Sequence, residues 1–267
     1  MPIIRSIATI LCLVCWALPV RAHELWIEPA EARFEAEGRI TADLVNGEGF
    51  AGRRLPYLDR DIRRLTLHLG DRQATVTGRL GDIPAISAAP LGEGLHVVAY
   101  ESAPTSLRYG DFDKFAAFAA HKDLGDVAAM TRARGLTVGP LTEIYGRYSK
   151  ALIAVGHGNG TDQRLGLATE FVALDPPRAG TWMRLQLFGP DGPRADAQVE
   201  WFTRAGDGSV AVSRLRTDAE GIVAVRLEAG HDYMADAVLL RPPGPALSQE
   251  TGAAWETLWA NLLLRLP

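Results

Sequence analysis

The chain of 267 residues has only two cysteines, Cys12 and Cys15, and both fall within its first 22 residues. That opening, MPIIRSIATILCLVCWALPVRA, carries an early positive charge at Arg5, an apolar run from Ile7 to Leu18, and a small-x-Ala ending at Val20-Arg21-Ala22. It reads as a secretory signal peptide cut after Ala22. Cys15 follows Val14 where a lipoprotein signal would place a small residue, so lipid attachment is not expected. A mature chain starting at His23 then has no cysteine, which excludes disulfides, thiolate metal sites and a cysteine nucleophile. Long apolar runs are also lacking. The leader's run is shorter than the roughly 20 residues a membrane helix needs, and no later stretch reaches that length, so no transmembrane segment is expected in the mature chain. There is no surplus of positive charge. Two of the 28 basic residues, Arg5 and Arg21, belong to the leader, leaving 26 against 32 acidic ones and no cationic face for nucleic acid. Motifs of hydrolytic chemistry are missing too: GxSxG, HExxH and the DxDxDG calcium loop do not occur.

What the chain does have is short alternating runs broken by Gly, Pro, Asn and Asp, the pattern of antiparallel sandwiches. Arg64–Leu69 alternates, placing three leucines inward and His68 on the solvent side. Leu95–Tyr100 is mostly apolar and reads as a central strand. Further strands are expected over 39–45, 151–155, 167–174, 183–188, 198–203, 209–214, 221–227 and 233–240, with a closing strand over 258–266. Trp26, Trp182, Trp201, Trp255 and Trp259 fall on or beside strands, which suits sheet packing better than sugar stacking. Residues 111–134 break the pattern: they lack proline, Phe112, Phe115, Phe118 and Ala119 recur at helical spacing, and Asp111 suits an N-cap. This predicts an inserted helix with His121 on its surface, and a second short helix fits 141–148. Pro176-Pro177 marks a seam. The expected fold class is therefore all-β, with a sandwich-like N-terminal domain over 23–177 that carries the helical insertion. A smaller immunoglobulin- or transthyretin-like sandwich over 178–267 ends in the closing strand.

Chemistry is expected at histidine. Signal removal makes His23 the first residue, and its free amine and imidazole together chelate a transition metal such as copper or nickel. Four other histidines have ordinary readings. His68 is on a polar strand face, His121 on a helix, and His157 and His231 are in turn-rich loops. His96 differs because it lies inside an apolar strand, where a polar ring needs a partner or a purpose. Two uses fit it: a core histidine bonded to backbone or carboxylate, or a partner that completes a three-nitrogen histidine brace with His23. Glu24, Glu48 and Glu101 are candidates to add oxygen ligands.

Several segments carry a likeness. Ala22-His23-Glu24-Leu25-Trp26-Ile27-Glu28-Pro29, Asn46-Gly47-Glu48-Gly49-Phe50-Ala51-Gly52 and Leu95-His96-Val97-Val98-Ala99-Tyr100-Glu101-Ser102 resemble the domain-of-unknown-function 4198 family. So do Lys114-Phe115, Arg147-Tyr148-Ser149-Lys150-Ala151-Leu152, Thr217-Asp218-Ala219-Glu220-Gly221 and Trp255-Glu256-Thr257-Leu258-Trp259. The resemblance implies an exported bacterial protein associated with nickel or cobalt uptake, with His23 and His96 as the matching histidines. The expectation is a periplasmic protein that binds a divalent transition metal (nickel, cobalt or copper) through His23, His96, Glu48 and Glu101. A membrane metal transporter would be its partner. Two other readings stay open: a metal-free envelope sandwich that binds a protein or glycan, and an oxidative copper enzyme of the brace type.

Overall fold

The computed structural model describes residues 24–267. The leader and His23 lie outside the described residues. Along the chain run β1 (Glu24–Pro29), β2 (Arg33–Phe34), β3 (Ile40–Glu48), β4 (Ala51–Leu55), β5 (Ile62–Leu69), β6 (Arg72–Thr75), β7 (Ile86–Ala88), β8 (Gly94–Ser102) and β9 (Thr105–Tyr109). Two helices follow, α1 (Phe112–His121) and α2 (Val127–Ala133), and then β10 (Leu141–Val155) and β11 (Glu170–Ala173). The rest is β12 (Trp182–Gly189), β13 (Gly192–Pro193), β14 (Gln198–Arg204), β15 (Val210–Arg216), β16 (Ile222–Arg226), β17 (Asp232–Arg241), α3 (Pro245–Thr251) and β18 (Trp255–Arg265).

The molecule is all-β with a helical insert, built in three layers. The middle layer is a sheet of ten strands with the order β15-β14-β17-β18-β10-β8-β5-β6, with β2 and β9 also pairing β10. One of its faces is covered by the sheet β11-β12-β13 with β16. Between them, Leu185, Leu187, Val223 and Phe171 pack on Val199, Tyr233, Leu262 and Leu264. The other face carries the sheet β1-β3-β4 with β7, whose Leu25, Ile27, Ile40 and Leu44 pack on Val98, Tyr100 and Ile153. Beside that sheet, on the same face, the helices set Phe115 and Phe118 on Trp255 and Trp259. Both faces of the central sheet are therefore dry at its inner strands, which explains why β8 and β18 read as near-continuous apolar runs rather than clean alternations.

Four sequence expectations change. The helix over 111–134 is two helices, because Asp123 and Gly125 turn to positive φ (54° and 85°) and end the first. Asp111 caps it as expected, accepting from the Asp113 N–H at 3.0 Å. Residues 141–148 are strand, not helix: they form the first half of β10, held between β9 and β18 by ladders on both sides. His68 is buried rather than solvated, since residues 163–166 ahead of β11 cross the face it shares with Arg64, and its Nε2 meets Thr66 Oγ1 at 2.8 Å. Finally, the central sheet runs across the expected seam at 177/178. β10 is paired with β18 over ten register positions, and β18 with β17.

Candidate functional site

A polar row crosses the central sheet on the face toward β1 and α1. Successive strand registers align Ser149 on β10, Asn261 on β18, Asp236 on β17, Glu200 on β14 and Arg214 on β15. Side chains two residues along each strand share a face. On one side of the row the next positions are Ala151, Leu263, Met234 and Phe202, the last three of which join Trp26 in an apolar cluster. On the other side stand Arg147, Trp259 and Val238. Polar groups here are thus enclosed between two apolar cores, where charge must be paired.

Two residues from outside the sheet complete the cluster. Glu24 is the first described residue of β1 and is 2 % exposed, since Leu25 and Ile27 anchor the alternate face of that strand in the core. Lys122 caps the C-terminal end of α1, where a cation also suits the helix dipole. Its Nζ donates to Glu24 Oε1 at 3.1 Å, Glu200 Oε2 at 2.5 Å and Asp236 Oδ2 at 3.1 Å. All three ammonium protons are therefore used. The three acidic residues offer ligand oxygens that lie within 4.8 Å of one another. At the rim, His121 Nε2 is 3.2 Å from Glu200 Oε1, and Arg214 Nε is 3.7 Å from the same oxygen.

The electrostatics follow from enclosure. Burial pushes the Glu24 carboxyl up to about 7, and the neighbouring Asp236 charge adds to this while Lys122 opposes it. Burial raises Asp236 as well, against the pull of Lys122. Burial works against the Lys122 charge, yet Asp236, Glu24 and Glu200 together hold it above the ordinary lysine value. Arg147 lies over the Trp259 ring at 3.9 Å and is lowered by its burial, with Asp236, Glu143 and Glu24 opposing.

The cluster is not fully satisfied. Among the described residues, eight buried side-chain nitrogen or oxygen atoms have no hydrogen-bond partner. Five of these belong here: Glu24 Oε2, Asp236 Oδ1, Arg147 Nη1, and both Oδ1 and Nδ2 of Asn261. Native proteins leave few such atoms, so these five mark where the hydrogen bonding of the cluster is incomplete. Lys122 takes one oxygen from each acid. The lone pairs of Glu24 Oε2 and Asp236 Oδ1 remain available.

The other expected ligands lie elsewhere. His96 is fully enclosed in β8; its Nε2 accepts from the Leu91 N–H at 3.0 Å and its Nδ1 meets the Gly94 carbonyl at 3.3 Å. Both ring nitrogens are thus engaged with backbone, and burial lowers its pKa, favouring the neutral ring. Glu101 is on the opposite face of β8, five residues on, bound to Arg64 at 3.0 Å and beside Arg63 at 3.7 Å. Glu48 ends β3, opposite Ala51, one residue beyond the Gly47 that pairs Glu24. The turn after it places Gly49 and Phe50 at φ 56° and 64°, and a Cβ on Gly47 would fall 2.1 Å from the Ala51 carbonyl oxygen. Phe50 is held there by Trp26, edge-on at 6.3 Å, and by Arg204 at 4.4 Å. The Asn46–Gly52 motif therefore builds the hairpin that flanks the start of β1.

Comparison with known families gives one match, to the model described as "Domain of unknown function (DUF4198)", over residues 20–240. The chain belongs to the DUF4198 family. No curated protein matches it. Among solved structures, one described as "D0-D1 domain of Intimin" is similar at 10 % identity, covering 90 % of this chain and 97 % of that one, with a TM-score of 0.22. Another, a "tetra-tandem repeat in extending region of large adhesion protein", shares 11 % identity over 91 % of this chain and 49 % of that chain, with a TM-score of 0.20. Scores this low fix neither fold nor function. Within this DUF4198 chain, the Arg147–Leu152 motif now has a physical reading. Arg147 and Ser149 face the polar row, while Lys150, wholly buried, reaches Asp162, Glu170 and the Phe171 carbonyl on the opposite face. Among the described residues, no helix is long and apolar enough to cross a membrane.

Proposed function

We propose that this DUF4198 chain is an exported protein that binds a divalent transition metal (nickel, cobalt or copper) and delivers it to a membrane uptake system. The ion would be held at the start of the mature chain. What supports this reading is the state of the carboxylates beside that start: after Lys122 is satisfied, Glu24 Oε2 and Asp236 Oδ1 are still buried without a partner. Glu24 is the residue that follows His23, so cleavage after Ala22 would put an amine and an imidazole next to those oxygens. Nitrogen and carboxylate oxygen together suit nickel, cobalt or copper. His96 contributes to the core rather than to the ion in this reading. The ligand oxygens are instead those of Glu24 and Asp236, with Glu200 and His121 behind them.

The test is calorimetric titration of chelator-stripped mature protein with nickel, cobalt and copper. One ion per chain is expected, with affinity falling as pH drops below about 7, where Glu24 takes up its proton. One extra residue placed before His23 removes the α-amine as a ligand without touching the fold, and Asp236→Asn removes an oxygen. Each is expected to weaken binding at least tenfold, and unchanged affinity in both overturns the reading.

One observation favours a second reading. Lys122 already sits among the three carboxylates as a tethered cation. If that ammonium is the resident charge, the chain is a metal-free envelope sandwich that docks a protein or glycan. Elemental analysis of protein purified without added metal separates the two: a stoichiometric metal supports the first reading, and no metal before or after loading supports the second.

A further inference from the structure

A cavity lies on the opposite face of the central sheet from the carboxylate cluster, where the seam, the glycine-rich loop and the end of β18 meet. It encloses about 240 Å³. Its floor is apolar, made by Leu95, Leu152, Leu264 and Leu266 of the core between the central sheet and the sheet of β11, β12 and β16. Pro267, the last residue of the sequence, closes one side. The rim carries Arg33, His157, Arg178 and Arg265, and no Asp or Glu side chain is among the lining residues. That is unexpected in a chain with more acidic than basic residues.

The wall is built for close approach. Gly158 and Gly160 have φ of 66° and 146°, and a Cβ on them would stand 2.8 Å from Ala154 Cβ and 3.1 Å from Leu95 Cβ. The Gly156–Gly160 loop therefore lies flat against the floor, pinned by an Arg33 donor to the Gly156 carbonyl. Arg265 is spent on Asp232 and the Pro29 carbonyl. Arg33 and Arg178 have no carboxylate within 4.0 Å among the described residues. His157 uses Nδ1 to accept from the Asn159 N–H and turns Nε2 toward Glu93, 3.6 Å away, which is not among the lining residues.

We infer that this cavity binds a small amphipathic anion, its carboxylate on Arg178 and Arg33 and its hydrocarbon on the leucine floor. Arginine suits a carboxylate because its planar fork donates two parallel hydrogen bonds. At about 30 Å³ for each water-sized volume, the space takes about eight heavy atoms, enough for a medium hydrocarbon chain whose carboxylate stays at the rim. Pockets of this kind, apolar with a few convergent polar groups, gather where two structural halves adjoin.

The probe is octanoate, titrated calorimetrically into chelator-treated full mature protein, with 1-octanol and inorganic phosphate as controls for tail and charge. One octanoate per chain is expected, with neither control binding at ten times the concentration. Arg178→Glu, an exposed substitution that leaves the fold alone, is expected to weaken octanoate at least tenfold. Absence of octanoate binding, equal binding by octanol or phosphate, or undiminished binding by Arg178→Glu overturns the proposal. Because it shares no residue with the Glu24 cluster and is measured without metal, its outcome is independent of the metal titration.

Discussion

Replacing Lys122 with methionine tests whether the carboxylate cluster is held by that one ammonium. The substitution keeps the length and most of the volume of the side chain, so packing against Phe118 and Trp259 changes little. It removes the only positive charge that contacts all three acids, leaving Glu24, Glu200 and Asp236 enclosed at 2 %, 4 % and 1 % exposure. Breaking a buried ion pair by deleting one partner costs about 3–5 kcal/mol. In a chain of this size each kcal/mol moves the melting temperature by roughly 2–4 °C, giving a fall of roughly 6–20 °C at pH 8. The cost is strongly pH-dependent, and its direction is fixed. Glu24 already titrates near 7 in the folded protein, above its ordinary 4.5. A carboxyl raised on folding binds more protons when folded, so stability falls as pH rises through that interval. Without Lys122 both Glu24 and Asp236 move higher still, so the loss is largest at pH 8 and shrinks toward pH 5. Thermal unfolding followed by circular dichroism at pH 5, 6.5 and 8 reads this directly. A variant that melts within 2 °C of the parent at pH 8, or whose deficit does not shrink on acidification, would refute the argument that Lys122 neutralises the cluster.

Two further outcomes follow from the geometry. His96→Ala leaves the Leu91 N–H without its acceptor in a dry core, so the urea midpoint should fall by the equivalent of about 1–3 kcal/mol; the metal affinity of the folded fraction should not change, and a tenfold loss there would return His96 to the ligand set. Gly158→Ala forces a side chain into a left-handed position against Ala154 and should destabilise the chain by about 1–2 kcal/mol while weakening octanoate, since the loop that walls the cavity must lift; a variant with parental melting and octanoate affinity would contradict it.

Much of the fold was legible because both faces of each strand leave a record in residue type. The strands over 39–45, 95–100, 183–188, 198–203 and 233–240 appear in the structure with ends shifted by a few residues. Residues 141–148 misled because a strand buried on both faces, Leu-Thr-Glu-Ile-Tyr-Gly-Arg-Tyr, keeps no two-residue alternation. His68 misled for the converse reason: its alternation is clean, but the face it shares is crossed by residues 163–166, a distant segment that local sequence does not announce. The site was legible only in part. The test applied to His96, a polar residue inside an apolar strand, applies equally to Glu200 beside Trp201 and Phe202, to Asp236 between Ala235 and Ala237, and to Asn261 between Ala260 and Leu262. Each carried the signal. What no local reading supplies is that the registers of four adjoining strands set Ser149, Asn261, Asp236 and Glu200 in one line.

That line, with Glu24 and Lys122, has a consequence for stability. Its members are drawn from residues 24, 122, 149, 200, 236 and 261, which span almost the whole described chain. No fragment contains the cluster, and the central sheet that aligns it crosses the seam at 177/178. Formation of the cluster, and of the metal site proposed on it, is therefore linked to folding of the entire molecule rather than of one half. An ion held by these groups stabilises the folded chain by mass action, about 2.7 kcal/mol at a hundred times its dissociation constant. The opposing term is the mutual repulsion of three enclosed carboxylates, which Lys122 relieves only while α1 stays docked on Trp255 and Trp259. The helical insert thus acts as the arm that keeps a cation in the cluster. In this arrangement the charge state of Glu24 couples the start of β1, the end of α1 and the strands β17 and β14 that carry Asp236 and Glu200.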